Sequence, residues 1–169
     1  MSKRLIGKGL RVPILIMAVG KQREPFYKDA AEEYLQRLRP YCKIAVREIK
    51  DEKDPGDGSE AQKQKVLALE GERILAGLTP QDVVVALCID GEQQSSEAFS
   101  ALIKPWHEQS RNVVFVIGGS LGLSDAVMKR ADVKLSFSPM TFPHQLARVM
   151  LLEQIYRSYK INAGERYHK

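Results

Sequence analysis

Long hydrophobic runs are missing from this chain. The longest early apolar stretch, Ile14 to Val19, has six residues, too few for a membrane helix or the core of a signal peptide. The basic residues ahead of it therefore do not make a secretion signal, and a cytoplasmic protein with no membrane association is expected. Cysteine is scarce. Cys42 and Cys88 form no CxxC and have no histidine pair beside them, which leaves two buried free thiols rather than a metal site. His107, His144 and His168 lack metal-ligand spacing, so no metal is expected. Hydrolytic chemistry finds little support, since no Cys–His pair is evident. The common nucleotide loops are missing too. Gly118-Gly119-Ser120-Leu121-Gly122 has GGxxG spacing rather than GxGxxG, and no Gly-Lys-Ser/Thr follows it.

What remains is an ordinary globular composition. The chain has 169 residues, 44% of them apolar and 28% charged. That is one domain, long enough to bury roughly 70% of its unfolded surface. The net charge is +5, which permits a nucleic-acid partner without requiring one. The distribution is more informative. Lys3, Arg4, Lys8, Arg11, Lys21 and Arg23 stand against a single acid, Glu24, near the start. Arg148, Arg157, Lys160, Arg166 and Lys169 outnumber Glu153 and Glu165 near the end. If both ends share a face, they make a phosphate-attracting patch; the alternative is a set of solvated charges.

Hydrophobic patterning alternates between strands and helices. Val12 to Val19, ending at Gly20, reads as a buried strand. Pro25 to Leu38 reads as a helix with Phe26, Ala30, Tyr34 and Leu38 on one face. Ile44 to Ile49 alternates like a strand with one wet side. Ser59 and Gln62 make a capping box for a helix that ends at Gly77. Asp82 to Ile89 is an apolar strand ending at Asp90-Gly91. A helix over 96–109, a strand over 112–117, a short helix over 124–130, a strand over 133–136 and a helix over 144–161 complete the pattern. Middle strands without a polar face predict an α/β domain with a mostly parallel sheet and helices on both faces.

Ligands of such sheets sit beyond the carboxyl ends of the strands. Ile89-Asp90-Gly91, Gly118 to Gly122, and Ser136 to Pro143 are the loops expected there. The last interleaves Phe137, Met140 and Phe142 with Ser138 and Thr141 and carries Pro139 and Pro143. A loop this apolar is either packed in the core or wrapped around an apolar ligand such as an adenine ring. The helix that follows is apolar nearly all round in its first half, so the fold or a second subunit buries it. Arg148 interrupts that half, either snorkelling to solvent or aimed at the loop site. Glu153 and Arg157 form an i,i+4 pair.

Several pieces in order carry a resemblance. They are Ala18-Val19-Gly20-Lys21; Phe115-Val116-Ile117-Gly118-Gly119 with Gly122-Leu123; Leu135-Ser136 through Met140-Thr141-Phe142-Pro143-His144; Arg148 with Glu153-Gln154-Ile155-Tyr156-Arg157; and Tyr167-His168-Lys169. In these the chain resembles the RlmH (YbeA-like) family of SPOUT-class RNA methyltransferases over nearly its whole length. The resemblance implies an α/β fold with a C-terminal trefoil knot, a homodimer, and methyl transfer from S-adenosyl-L-methionine to N3 of a pseudouridine in bacterial 23S rRNA within the assembled ribosome. It implies cofactor contacts at Leu87, Gly118, Phe137, Ser138, Pro139, Met140, Thr141 and Phe142. Arg148 is expected to stabilise the developing imidate anion, and Tyr167 and His168 to shape the target-base pocket, from either subunit. Residues 12–169 then form a single SPOUT methyltransferase domain, and residues 1–11 a basic N-terminal extension. The rival readings are a non-catalytic ribosome-associated factor, a Rossmann-type nucleotide enzyme, and a knotted methyltransferase with a different RNA target.

Overall fold

The computed structural model describes residues 13–167. Five strands form one sheet: β1 (Ile14–Val19), β2 (Ile44–Ile49), β3 (Val83–Gln93), β4 (Val113–Ile117) and β5 (Val133–Ser136). Five helices alternate with them: α1 (Pro25–Leu38), α2 (Glu60–Leu75), α3 (Ser96–Glu108), α4 (Asp125–Arg130) and α5 (His144–Asn162). The strand order is β2-β1-β4-β3-β5, and every pairing is parallel. The expected α/β architecture is therefore present.

The chain's alternation builds the layers. In β1, Ile14, Ile16 and Ala18 face one side with Leu38 of α1, Phe99 and Ile103 of α3, and Leu151 and Ile155 of α5. Met17 and Val19 face the other side with Ile74 of α2 and Val127 of α4. Both faces are covered, which is why β4 is buried at all five positions. Helix starts follow the local chemistry. Ser59 and Gln62 form the complete capping box, and Ser95 and Ser124 accept from the third residue on. Pro25 opens α1, where its fixed φ suits the first turn.

Two expectations shift. The buried face of α1 is Ala31 and Leu38, with Tyr34 and Leu35 packed against the same core, whereas Phe26 is 61% exposed. Tyr34 and Leu38 keep the expected face, while Ala31 rather than Ala30 is buried and α1 packs against α5 as well as β2. β3 also runs on past Asp90-Gly91. Leu87 pairs with Leu135, the chain bulges, and Glu92 returns to the same partner. A Cβ on Gly91 would lie 2.6 Å from the carbonyl carbon of Leu135, so only glycine permits this close return.

One crossing positions the site. β5 is the edge strand beside β3, yet α5 begins at the exit of β1. The Gln145 side chain accepts from the backbone N–H of Arg23 at 2.7 Å, and its carbonyl accepts from Gln22 at 3.1 Å. The segment 137–143 therefore passes over the carboxyl ends of the inner strands.

Candidate functional site

That crossing encloses a cleft of about 690 Å³. Its walls are the β3 bulge, the Gly118–Gly122 turn, the Phe137–Pro143 segment and the first turn of α5. The glycine turn is tight. A Cβ on Gly118 would come within 2.4 Å of the Gly122 carbonyl oxygen, and Gly122 has φ +84, so both positions require glycine. The opposite wall is braced by its own hydroxyls. Ser136 donates to the Ser138 carbonyl at 3.1 Å, and the Ser138 hydroxyl accepts from the Met140 N–H at 3.0 Å.

The rim is unusually apolar. Met140 is 72% exposed and Ile89 51% exposed, and both belong to the cleft. Large apolar side chains left open around a concavity of this size mark a ligand slot. The crowded Gly118 position leaves backbone rather than side chain facing that slot. Apolar walls with backbone polar groups suit a purine nucleoside, the shape S-adenosylmethionine requires. Pro143, the N-cap of α5, supplies no side-chain cap, so the cap residue leaves the helix's first-turn N–H groups unanswered beside the cleft.

Of the expected cofactor residues, Leu87, Gly118, Phe137, Ser138, Met140, Thr141 and Phe142 line the cleft. Pro139 is exposed and does not line it. Sequence reasoning missed Cys88, His144 and Ala147. Cys88 and Ala147 look like ordinary core residues, and only the bulge and the crossing turn them to the slot. Burial pushes the Cys88 thiol above its usual range, which keeps it protonated.

His144 is half-buried at the start of α5. Burial, then the Arg148 charge, hold its pKa below the ordinary imidazole value, with Asp51 opposing and Arg23 adding to the depression. The ring is therefore neutral near pH 7.

Arg148 is not where the sequence reading expected it. It neither snorkels nor lines the cleft. It is 2% exposed and donates to Glu48 Oε1 at 2.9 Å and to the Gly20 carbonyl at 3.1 Å. The same carboxylate oxygen accepts from the Gln22 N–H at 2.7 Å. Arg148 thus ties the β1 exit loop, β2 and α5 together beneath the cleft wall.

Tyr167 follows α5 and packs back against its later turns, edge-on to Tyr156 at 4.9 Å and 4.6 Å from the Arg157 guanidinium. Arg157 Nη2 donates to Glu153 at 2.6 Å. Glu153 in turn lines a second cavity of about 290 Å³, bounded by Ser95, Ser96, Gln154 and Leu135-Ser136-Phe137. The last three are also cleft residues, so the two spaces share a wall. Burial raises the Tyr167 phenol to about 12. His168 and the 1–11 segment lie outside the described residues.

The glycine turn also spells GxSxG, the spacing of a hydrolase nucleophile. Its geometry is not that of a nucleophile. Ser120 is exposed and hydrogen-bonds the Asp54 carboxylate, whose pKa it lowers. No hydrogen bond joins Ser120 to His144 among the described residues, so the Ser–His pair of a hydrolase is not formed there. Among the same residues no cluster of His, Cys, Asp and Glu could hold a metal ion, and no helix is long and apolar enough to cross a membrane.

The chain is similar to known proteins. A family described as predicted SPOUT methyltransferase matches residues 12–168. A Carboxydothermus hydrogenoformans protein named ribosomal RNA large subunit methyltransferase H is 53% identical over 92% of this chain and 99% of its own length. A Bifidobacterium adolescentis protein of the same name is 51% identical over the same shares. A crystal structure of a probable methyltransferase from Bordetella pertussis Tohama I superposes with a TM-score of 0.54 and 14% identity, covering 87% of this chain and 94% of that one. That last likeness bears on the fold alone.

Proposed function

The chain belongs to the SPOUT methyltransferase family, and on that premise we propose that it methylates N3 of a pseudouridine in bacterial 23S rRNA, with S-adenosylmethionine as donor. It works as a cytoplasmic homodimer on the assembled ribosome. The relatives named as large-subunit rRNA methyltransferases, at about half identity over nearly their whole length, support the substrate. The observation that carries the reading is the apolar cleft under the 137–143 crossing. That crossing is also what a trefoil knot requires, and the knot is part of the proposal.

The cofactor, when bound, supplies a methyl group already made electrophilic by its sulfonium. The protein's work is then alignment and proton management. Leu87, Gly118 and the Phe137–Phe142 wall hold the adenosine part, with the residues around Pro139 shaping the loop rather than touching the ligand. The uncapped start of α5 offers N–H groups to a carboxylate. The imide proton at N3 of the target base must leave, and neutral His144 on the cleft wall is suited to accept it. The adjoining cavity beside Glu153 and Gln154 receives the base, with Tyr167 and His168 closing it, the tail coming from either protomer. Arg148 serves the reaction by positioning the β1 exit loop rather than by touching the base.

Mass spectrometry of rRNA from a deletion strain tests this directly. One methyl group is expected to disappear from one pseudouridine; an unchanged modification map overturns the reading. Comparing naked rRNA, free large subunits and whole ribosomes as substrates tests the ribosome requirement, which strong activity on naked RNA would refute.

A further inference from the structure

We propose that the β1 exit loop and the start of α1, residues 20–26, form an RNA-binding platform in which Phe26 stacks on an unpaired base and Lys21 and Arg23 hold the flanking phosphates. This rests on the rRNA-methyltransferase reading and goes beyond it by naming a substrate contact outside the cleft.

The first observation is Phe26 itself. It is a large aromatic ring, 61% exposed, on a helix whose apolar face points elsewhere. The ring is not loose, because Tyr27 packs against it with centroids 4.4 Å apart and the rings tilted by 54°. A braced, solvent-facing aromatic loses little freedom when a base stacks on it.

The second is the setting. Lys21 and Arg23 are exposed on the same short loop. The loop is latched to the cleft through its backbone: the N–H groups of Arg23 and Glu24 donate to the Gln145 side chain at 2.7 and 3.2 Å. The Gln22 side chain, Arg148 and Glu48 complete the latch. The latch leaves the side chains of Lys21 and Arg23 outside it. The loop reaches the cleft as well. A Cβ on Gly20 would lie 3.3 Å from His144 Nε2, and the Arg23 charge acts on that same ring.

The third is charge complementarity. Two exposed cations and an aromatic on a loop that adjoins the His144 wall of a site acting on a nucleobase match the chemistry of single-stranded RNA, with phosphates for the cations and π-faces for the ring. A lone exposed aromatic elsewhere would need no explanation. This one follows directly on a loop whose backbone is latched to Gln145, the neighbour of the cleft residue His144.

The test compares wild type, Phe26→Ala, Phe26→Trp and the double variant Lys21→Ala/Arg23→Ala in the full chain. It reads binding to the rRNA of whole ribosomes by co-sedimentation, KM for ribosomal substrate, S-adenosylmethionine affinity by calorimetry, and oligomeric state by sedimentation. Phe26→Ala should weaken rRNA binding by at least about fivefold, and Phe26→Trp should restore it. The double variant should flatten the salt dependence of rRNA binding by about two phosphate contacts. Cofactor affinity should stay unchanged. Unaltered RNA affinity and salt slope would overturn the proposal, as would a change of oligomeric state in Phe26→Ala, which would make the ring a contact between protomers. A wild-type protein that binds rRNA through these residues but methylates none would sink the methyltransferase reading and leave the platform standing.

Discussion

The guanidinium of Arg148 lies 2.9 Å from the carboxylate of Glu48, joining residues 100 positions apart. One partner is sealed from water and the other is not: the side chains are 3% and 40% exposed. Removing the arginine leaves a carboxylate that water can still reach, so the loss falls toward or below the low end for broken buried pairs. Arg148→Met should cost about 2–3 kcal/mol, seen as a lower urea midpoint. Turnover should fall together with stability, because the β1 exit loop is released. A normal midpoint with abolished turnover would instead make Arg148 a group acting on the reacting base.

Gly118→Ala should destroy cofactor binding. The added methyl meets the Gly122 carbonyl at 2.4 Å, and both contact atoms are backbone or fixed to it, so the turn must open. Calorimetry with S-adenosylmethionine should show at least about a tenfold loss, equivalent to ~1.4 kcal/mol. Retained affinity would mean that the turn is not part of the adenosine slot.

Met140 separates site from scaffold. At 72% exposure it contributes little to folding, yet it stands on the cleft rim. Met140→Asp should leave thermal stability within about 0.5 kcal/mol while weakening cofactor affinity severalfold. A matching fall in stability would show that the loop is core rather than ligand wall.

The neutral His144 gives stability a pH dependence. Its folded pKa is depressed, while the unfolded value is about 6.5. The unfolded chain therefore binds the proton more readily. Stability from this group is complete above the unfolded value and declines as pH falls from there through the depressed folded value. Melting temperature measured from pH 7.5 down to 5 should drop more steeply for wild type than for His144→Gln. Parallel curves would show that the ring is not desolvated.

Much of the scaffold was readable from local pattern. β2 and β5 match their apolar segments residue for residue, and the Ser59–Gln62 box starts α2 as its side chains require. The wall segment 137–142 was legible because its apolar content has no other outlet. Other features were hidden. The Gly91 return depends on a partner strand more than forty positions away. The face of α1 depends on how α5 docks against it. Pro139 stands in the middle of the wall segment and does not line the cleft. Arg148, alone among apolar neighbours, invited a catalytic role because its partner Glu48 is invisible in local sequence.

The division has a physical cause. Helix and strand periodicity, capping and turn chemistry act between residues a few positions apart, so the chain's own letters determine the five strands, the five helices and the three loops at the strand ends. Which groups then meet depends on strand order. Insertion of β4 between β1 and β3, and the crossing from the edge strand to the exit of β1, bring the glycine turn, the apolar segment and His144 around one cleft. The same crossing seals Arg148 beneath it. Those are long-range contacts, and only tertiary packing decides them.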